Sequence, residues 1–233
     1  MPLAPSQATS FGAVSAIVTT VTIRAIAFDL GGVLEDVGPA EDFTFGWSAR
    51  LGLTEAQAAG LPWPLTRADP GNQVKTGAVT EAQYRQQCLD ALGLAGGLAQ
   101  EFMTSFWNWY CGVLDTELAS FAARLRPRYR TAILSNSVAG ARNQEQRRFG
   151  FADLVDVIIY SDEAGLAKPD PQIYRLLCEE LGVDPAEVVF LDNRLPNVEA
   201  ACELGIHGIL HEHTATSIGA IEALLDQGGC SHS

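Results

Sequence analysis

Lysine is the residue this chain most nearly does without. Of 15 basic side chains, only Lys75 and Lys168 are lysines; the other 13 are arginines. Basic charge is scarce altogether, since 28 acidic residues bring the formal net charge to −13. So negative a chain repels phosphate backbones and acidic lipid, which excludes nucleic acid and membrane surfaces as expected partners. The five cysteines (Cys88, Cys111, Cys178, Cys202, Cys230) are odd in number and form no C-x-x-C pair. That argues against a disulfide framework and for reduced thiols in a cytoplasmic protein. No basic residue precedes Arg24, so residues 1–22 lack the basic start of a secretory signal and are expected to be an N-terminal extension. The apolar stretch Val14–Val21 is too short to span a bilayer.

What is present is 233 residues of globular composition, 47% hydrophobic and 18% charged, enough for a sizeable core. The stretch from Ile23 to Asp36, IRAIAFDLGGVLED, organises the rest. Its apolar run predicts a buried strand of a parallel sheet, ending in Asp29 and turned by Gly31-Gly32. In open α/β sheets, ligands bind at that end of the strands.

Residues 38–114 carry no β-branched run but several helical patterns. One runs from Ala40 towards Leu51, a second starts at Thr54, a third follows Thr80 to Leu92 and a fourth spans Leu98–Val113. Leu61–Gly77 reads as a turn-rich loop. From Asp115 onward helix and strand alternate. Strands are expected at Thr131–Leu134, Val155–Ile159, Val188–Leu191 and Gly208–Leu210, with helices at Thr116–Leu125, Ala139–Phe149, Pro171–Leu181, Pro196–Leu204 and Ser217–Leu225. Such alternation predicts an α/β fold: a doubly wound, Rossmann-like parallel sheet with an inserted all-helical domain. The core comprises 23–37 and 115–233, the insertion 38–114.

The residues closing each strand share one property: they are polar. Asp29 follows the first strand, Ser135-Asn136-Ser137 the second and Asp192-Asn193 the fourth; Lys168 ends the loop after the third. Each has a plainer reading: Ser135 as a turn or cap, Lys168 as a solvated charge, Asp192 as a helix N-cap. Strand ends of one parallel sheet share an edge, however, so the four are expected to converge. Lys168 is also one of just two places where the chain keeps a compact ammonium instead of a guanidinium.

The motifs F-D-L-G-G-V-L, L-S-N-S, A-K-P-D-P-Q-I-Y and V-F-L-D-N-R-L-P-N-V-E-A-A, in this order over residues 23–210, resemble the haloacid dehalogenase-like hydrolase superfamily. The insertion resembles its C1 cap, and the D-L-G-G-V opening is similar to members that are sugar-1-phosphate phosphatases. The resemblance implies a Mg²⁺-dependent phosphatase acting on a small phosphorylated metabolite. Asp29 would attack phosphorus and form an aspartyl-phosphate. Ser135, Asn136, Gly32 and Lys168 would hold the phosphoryl group, with Lys168 neutralising Asp29. Asp29, the Gly31 carbonyl and Asp192 would bind Mg²⁺ through oxygen. A monomer and a homodimer are equally compatible with the sequence.

Two positions depart from the family pattern. Gly31 stands where phosphatases of the superfamily usually carry a general acid, a role worth ~10²–10⁴ in rate. Asp36, a cap residue or water are candidate replacements, and a substrate with a good leaving group would need less help. Asn193 stands where an acidic residue is common. Rival readings are a phosphometabolite-binding or regulatory module and a 2-haloacid dehalogenase. Dehalogenases of the superfamily put an aromatic residue at the Gly31 position and lack the Asp192 carboxylate. Trp47, Arg50, Trp63, Arg67 and Lys75 lie in the cap, where substrate would be chosen. Trp107 and Trp109 read as core, His211-Glu212-His213 as a solvated turn, and Glu163 as an orienter of Lys168 or an exposed acid.

Overall fold

The computed structural model describes residues 22–54, 56–57 and 72–229. Trp63, Arg67, most of the expected N-terminal extension and most of the expected Leu61–Gly77 loop lie outside them. The central sheet has five parallel strands: β1 (Ala25–Phe28), β4 (Arg130–Ser135), β5 (Val157–Tyr160), β6 (Val188–Asp192) and β7 (His207–Leu210). Their spatial order is β5-β4-β1-β6-β7, so β1 is flanked by β4 and β6. Phe28 is level with Ile133 on one side and Leu191 on the other. The residue after Phe28 therefore lies beside both Leu134 and Asp192, at the point where the winding of the sheet reverses.

Period-2 alternation decides which face each strand residue serves. Ile26, Phe28, Ile133, Val189 and Leu191 enter one buried cluster; Ala25, Ala27, Ala132, Leu134, Val188 and Phe190 enter the other. Helices α9 (Pro171–Leu181) and α10 (Leu195–Glu203) cover the second face. Helices α5 (Thr116–Leu125), α6 (Ala141–Phe149), α7 (Phe151–Leu154) and α11 (Thr214–Gly229) contribute to the first cluster. A single-turn helix α8 (Ser161–Ala164) follows β5.

Local chemistry sets the helix ends. The Asp170 carboxylate accepts from the Gln172 N–H and Pro171 opens α9, while Gly182 closes it in the left-handed region. Asp115 caps α5 through the Leu118 N–H at 2.9 Å. In the insertion lie α1 (Ala40–Arg50), α2 (Asn72–Lys75), α3 (Glu81–Leu92) and α4 (Gly96–Cys111). Thr80 and Gln83 form a capping box at the start of α3. Helix α2 falls inside the expected loop, and residues 56–57 are all that is described of the helix expected from Thr54.

One element was not expected. Glu35–Asp36 (β2) and Val113–Leu114 (β3) pair antiparallel, Glu35 with Leu114 and Asp36 with Val113. This two-stranded ribbon joins the two ends of the helical insertion where it leaves and re-enters the sheet. Two residues per strand are too few to leave a periodic signal in sequence. Aromatic packing holds the insertion to the core: Phe43, Trp47, Phe102 and Phe106 belong to the same cluster as Phe28 and Leu191.

Candidate active site

Lys168 is the hub of the site. Its ammonium donates to Leu134 O at 2.8 Å and Asp192 Oδ2 at 2.7 Å, and lies 2.8 Å from Asp29 Oδ1. All three N–H donors are thereby spent, and the side chain is fully buried. The Phe190 ring centroid lies 5.4 Å from Nζ and adds a cation–π contact. A guanidinium is too wide for three acceptors converging from β1, β4 and β6, which explains why this position keeps a lysine in an arginine-using chain.

Asp29 extends β1: its N–H donates to Leu191 O at 2.9 Å, and Oδ1 accepts from the Leu30 N–H at 2.8 Å. Both the Leu30 and the Lys168 contacts fall on Oδ1. Oδ2 has no hydrogen-bond partner among the described residues, and a tenth of the side chain stays exposed. Burial raises the Asp29 carboxyl to about 6; Lys168 pulls it down and Asp192 pushes it up. Two carboxylates thus share one ammonium, and the site carries a surplus negative charge.

Asp192 is completely buried. Its Oδ1 accepts from the Arg194 N–H at 2.7 Å, and the Asn197 amide lies 3.1 and 3.0 Å from its two oxygens. Asn197 is held in turn by the Tyr174 hydroxyl, which donates to its carbonyl at 2.8 Å. Neither Asn197 nor Tyr174 was singled out in the sequence. The available signal was an asparagine on the inward face of a helix, five residues after the motif aspartate.

Ser135 ends β4 buried beside Asp29's strand. The Asn136 side chain is committed to Lys168, which leaves its backbone N–H as the group for a phosphoryl oxygen. That side chain clasps the backbone of Lys168, Nδ2 donating to Lys168 O and Oδ1 accepting from the Lys168 N–H, each at 2.8 Å. Its amide positions the lysine. Ser137 ties the same loop to α8, its N–H donating to Ser161 Oγ at 2.9 Å and its hydroxyl to Asp162 Oδ1. Gly32 has φ +78°, and a Cβ there would sit 2.0 Å from Asn193 Nδ2. Asn193 therefore lies against the loop after β1, and only glycine fits beneath it.

Other expected residues take structural places. Glu163 pairs with Arg142 at 2.7 Å, not with Lys168. Trp47 is buried against Phe102, and Arg50 lies over Trp47 while forking onto Glu101. These two stabilise the insertion instead of facing the site. Trp107 is core, and the Trp109 indole donates to Gly38 O at 3.0 Å. His211 bonds Ser217 Oγ at 2.9 Å, and no trio of His, Cys, Asp or Glu is gathered for a metal among the described residues. Asp36, a candidate acid, is exposed on the ribbon. Cys88, Cys111, Cys178 and Cys202 are free thiols. A surface groove of about 750 Å³ between Phe121, Tyr129 and Leu225 contains none of the site residues.

Comparison with known proteins agrees with the α/β fold. Residues 23–205 match the haloacid dehalogenase-like hydrolase family. The chain is 26% identical over 195 residues to N-acetylmuramic acid 6-phosphate phosphatase of Pseudomonas aeruginosa, covering 78% of this chain and 79% of that protein. It is also 26% identical over 205 residues to D-ribitol-5-phosphate phosphatase of Bacteroides thetaiotaomicron, covering 83% and 94%. A 70-residue stretch, 30% of this chain, is 40% identical to acyl-CoA dehydrogenase family member 10 of Mus musculus and spans 6% of that protein. Among solved structures, a HAD-family enzyme of Bacteroides thetaiotaomicron in complex with magnesium and inorganic phosphate superposes with a TM-score of 0.68 at 22% identity, covering 82% of this chain and 94% of that one.

Proposed function

The chain belongs to the haloacid dehalogenase-like hydrolase family, and from that premise we propose that it is a Mg²⁺-dependent phosphatase of small phosphorylated metabolites, sugar phosphates foremost. The observation that carries the reading is the Lys168 ammonium held between Asp29 and Asp192. An anionic nucleophile meets an anionic phosphate only where fixed positive charge offsets the repulsion, and here that charge touches the attacking carboxylate itself.

Asp29 Oδ2, without a hydrogen-bond partner among the described residues, would attack phosphorus while Oδ1 stays anchored by Leu30 and Lys168. Ser135, at the end of the adjacent strand, would bind a phosphoryl oxygen. Asn136 would hold Lys168 in register during transfer. The donor set suits a hard cation. Asp29, Asp192 and the Gly31 carbonyl offer oxygen alone, and a divalent ion would favour the charged form of Asp29, which burial and then Asp192 disfavour. Bound there, Mg²⁺ would supply Lewis-acid stabilisation of the phosphoryl charge. Helical segment 38–114 would serve as a cap, closing on the substrate to exclude water. Relatives named for N-acetylmuramic acid 6-phosphate and D-ribitol 5-phosphate support a polyhydroxylated substrate.

The test is phosphate release from a panel of sugar and polyol phosphates, with Mg²⁺ and with chelator, for the wild type and Asp29→Asn. Release that needs Mg²⁺ and vanishes in the variant is expected. Absence of release from every ester, or turnover undiminished by Asp29→Asn, contradicts the proposal.

A further inference from the structure

The helical insertion rests on the core at a point that also anchors the loop carrying Ser135 and Asn136. Gly77, in the turn after α2, has φ +70°, and a Cβ there would run into the carbonyl oxygen of Asp162 on α8. Helix α2 itself packs against α8. On its other side α8 grips Ser137: the Ser137 N–H donates to Ser161 Oγ at 2.9 Å, and the Ser137 hydroxyl donates to Asp162 Oδ1. Ser137 and Ser161 are both buried. Asp162 is therefore shared, its backbone touching the insertion and its carboxylate holding the loop. A second contact lies at the far end of that loop, where the Glu81 carboxylate at the start of α3 abuts Gly140.

Helix α8 reaches the site by two routes. Tyr160, the last residue of β5, is level with Ser135, so α8 begins beside the expected phosphate ligand. Past Gly165, which closes α8, the chain runs directly to Lys168. The Asn136 side chain joins the two routes through its bonds to the Lys168 backbone. A single helical turn has little cohesion of its own, so what packs against it sets its position.

We propose that Ser137 is a positioning residue that couples the seating of the helical insertion on α8 to the loops that handle the phosphoryl group. The inference rests on the phosphatase reading above and deepens it, since it specifies how the insertion acts on the site. Substrate held under the insertion keeps Gly77 seated on Asp162. Helix α8 is then fixed, and Ser137 carries that constraint to Ser135 and, through Asn136, to Lys168. Binding energy from the part of the substrate that does not react thereby orders the groups that meet phosphorus, which raises kcat instead of merely tightening binding. A phosphate compound too small to reach the insertion gains nothing from the link. The coupling is reciprocal: an anion held at Ser135 and Lys168 favours the seated insertion by the same free energy.

The experiment compares wild type, Ser137→Ala, Gly77→Ala, the double variant of these two and Asp162→Asn. Substrates are the sugar or polyol phosphate that the wild type turns over fastest and acetyl phosphate, each with Mg²⁺. Each single alanine variant is expected to lower kcat on the sugar phosphate about tenfold, the size of one lost charge-assisted hydrogen bond, with a smaller change in KM. On acetyl phosphate kcat should stay within about threefold of wild type. The double variant should match the worse single one, because both changes cut the same link. Asp162→Asn keeps an amide oxygen that accepts from Ser137 and should stay near wild type. Independently of turnover, inorganic phosphate with Mg²⁺ should slow amide hydrogen exchange over residues 72–80 in the wild type but not in Ser137→Ala. Gly77 lies at the surface, so Gly77→Ala tests the link even if Ser137→Ala fails to fold. Losses that multiply to about a hundredfold in the double variant would overturn the proposal. So would equal losses on both substrates, or phosphate-induced protection that survives Ser137→Ala or is missing from the wild type. A wild type that releases phosphate from neither substrate overturns the phosphatase reading itself, a result distinct from these.

Discussion

Replacing Lys168 by methionine would separate its electrostatic role from its volume. The substitution keeps an unbranched chain of similar length but removes three hydrogen bonds, to Leu134 O, Asp29 and Asp192. Two buried carboxylates then face each other with no cation, and breaking a buried pair costs roughly 3–5 kcal/mol. For a chain of this size that corresponds to a fall of roughly 6–20 °C in Tm. The pH dependence carries the sharper information. Asp29 is held at about 6 instead of 3.8, so the native state binds a proton that the unfolded chain has released. Stability therefore falls as pH rises between those values, by roughly 3 kcal/mol. Lys168 restrains that rise, so removing it lifts Asp29 further and extends the decline beyond pH 6. Urea unfolding of wild type and Lys168→Met at pH 5 and pH 8 should show a distinctly larger difference at pH 8. An equal difference at both pH values, or no loss of stability, would refute the electrostatic reasoning.

Three further outcomes follow from the same geometry. Mg²⁺ affinity should weaken as pH drops through about 6, where Asp29 of the metal-free protein takes up a proton that competes with the ion; an affinity unchanged from pH 7 to 5, read by calorimetric titration, contradicts this. Asn136→Ala removes both clasps on the Lys168 backbone and should lower kcat about tenfold or more while shifting KM less, read from steady-state kinetics on a single ester. Gly32→Ala forces a side chain into the left-handed region and against Asn193, and should cost at least about 1 kcal/mol in denaturant unfolding.

The sheet was legible because its signals are local and redundant. Each strand is an apolar run, the helices between them carry caps such as Asp115 and Asp170, and α5 and α9 fall at the expected Thr116–Leu125 and Pro171–Leu181. Asp29, Lys168 and Asp192 could be named because parallel strands of one sheet carry their polar ends to a common edge. Properties set by distant packing were not legible. Nothing local shows that the Asn136 side chain clasps Lys168, since the partner lies 32 residues away. Trp47 and Arg50 read as ligand-facing until the insertion's own aromatic cluster claims them. Asp36 reads as a candidate acid in sequence, and only the ribbon, with two residues per strand, turns Glu35 inward and leaves Asp36 exposed.

The account turns on Asp29 as the atom donor to phosphorus. Mixing enzyme with a hydrolysed ester in the presence of Mg²⁺, quenching in acid within one turnover and mapping the modified peptide by mass spectrometry tests this directly. A phosphoryl group on Asp29 in the wild type, absent from Asp29→Asn, is the expected result. Steady phosphate release with no phosphorylated intermediate, or with the group on another residue, would contradict it.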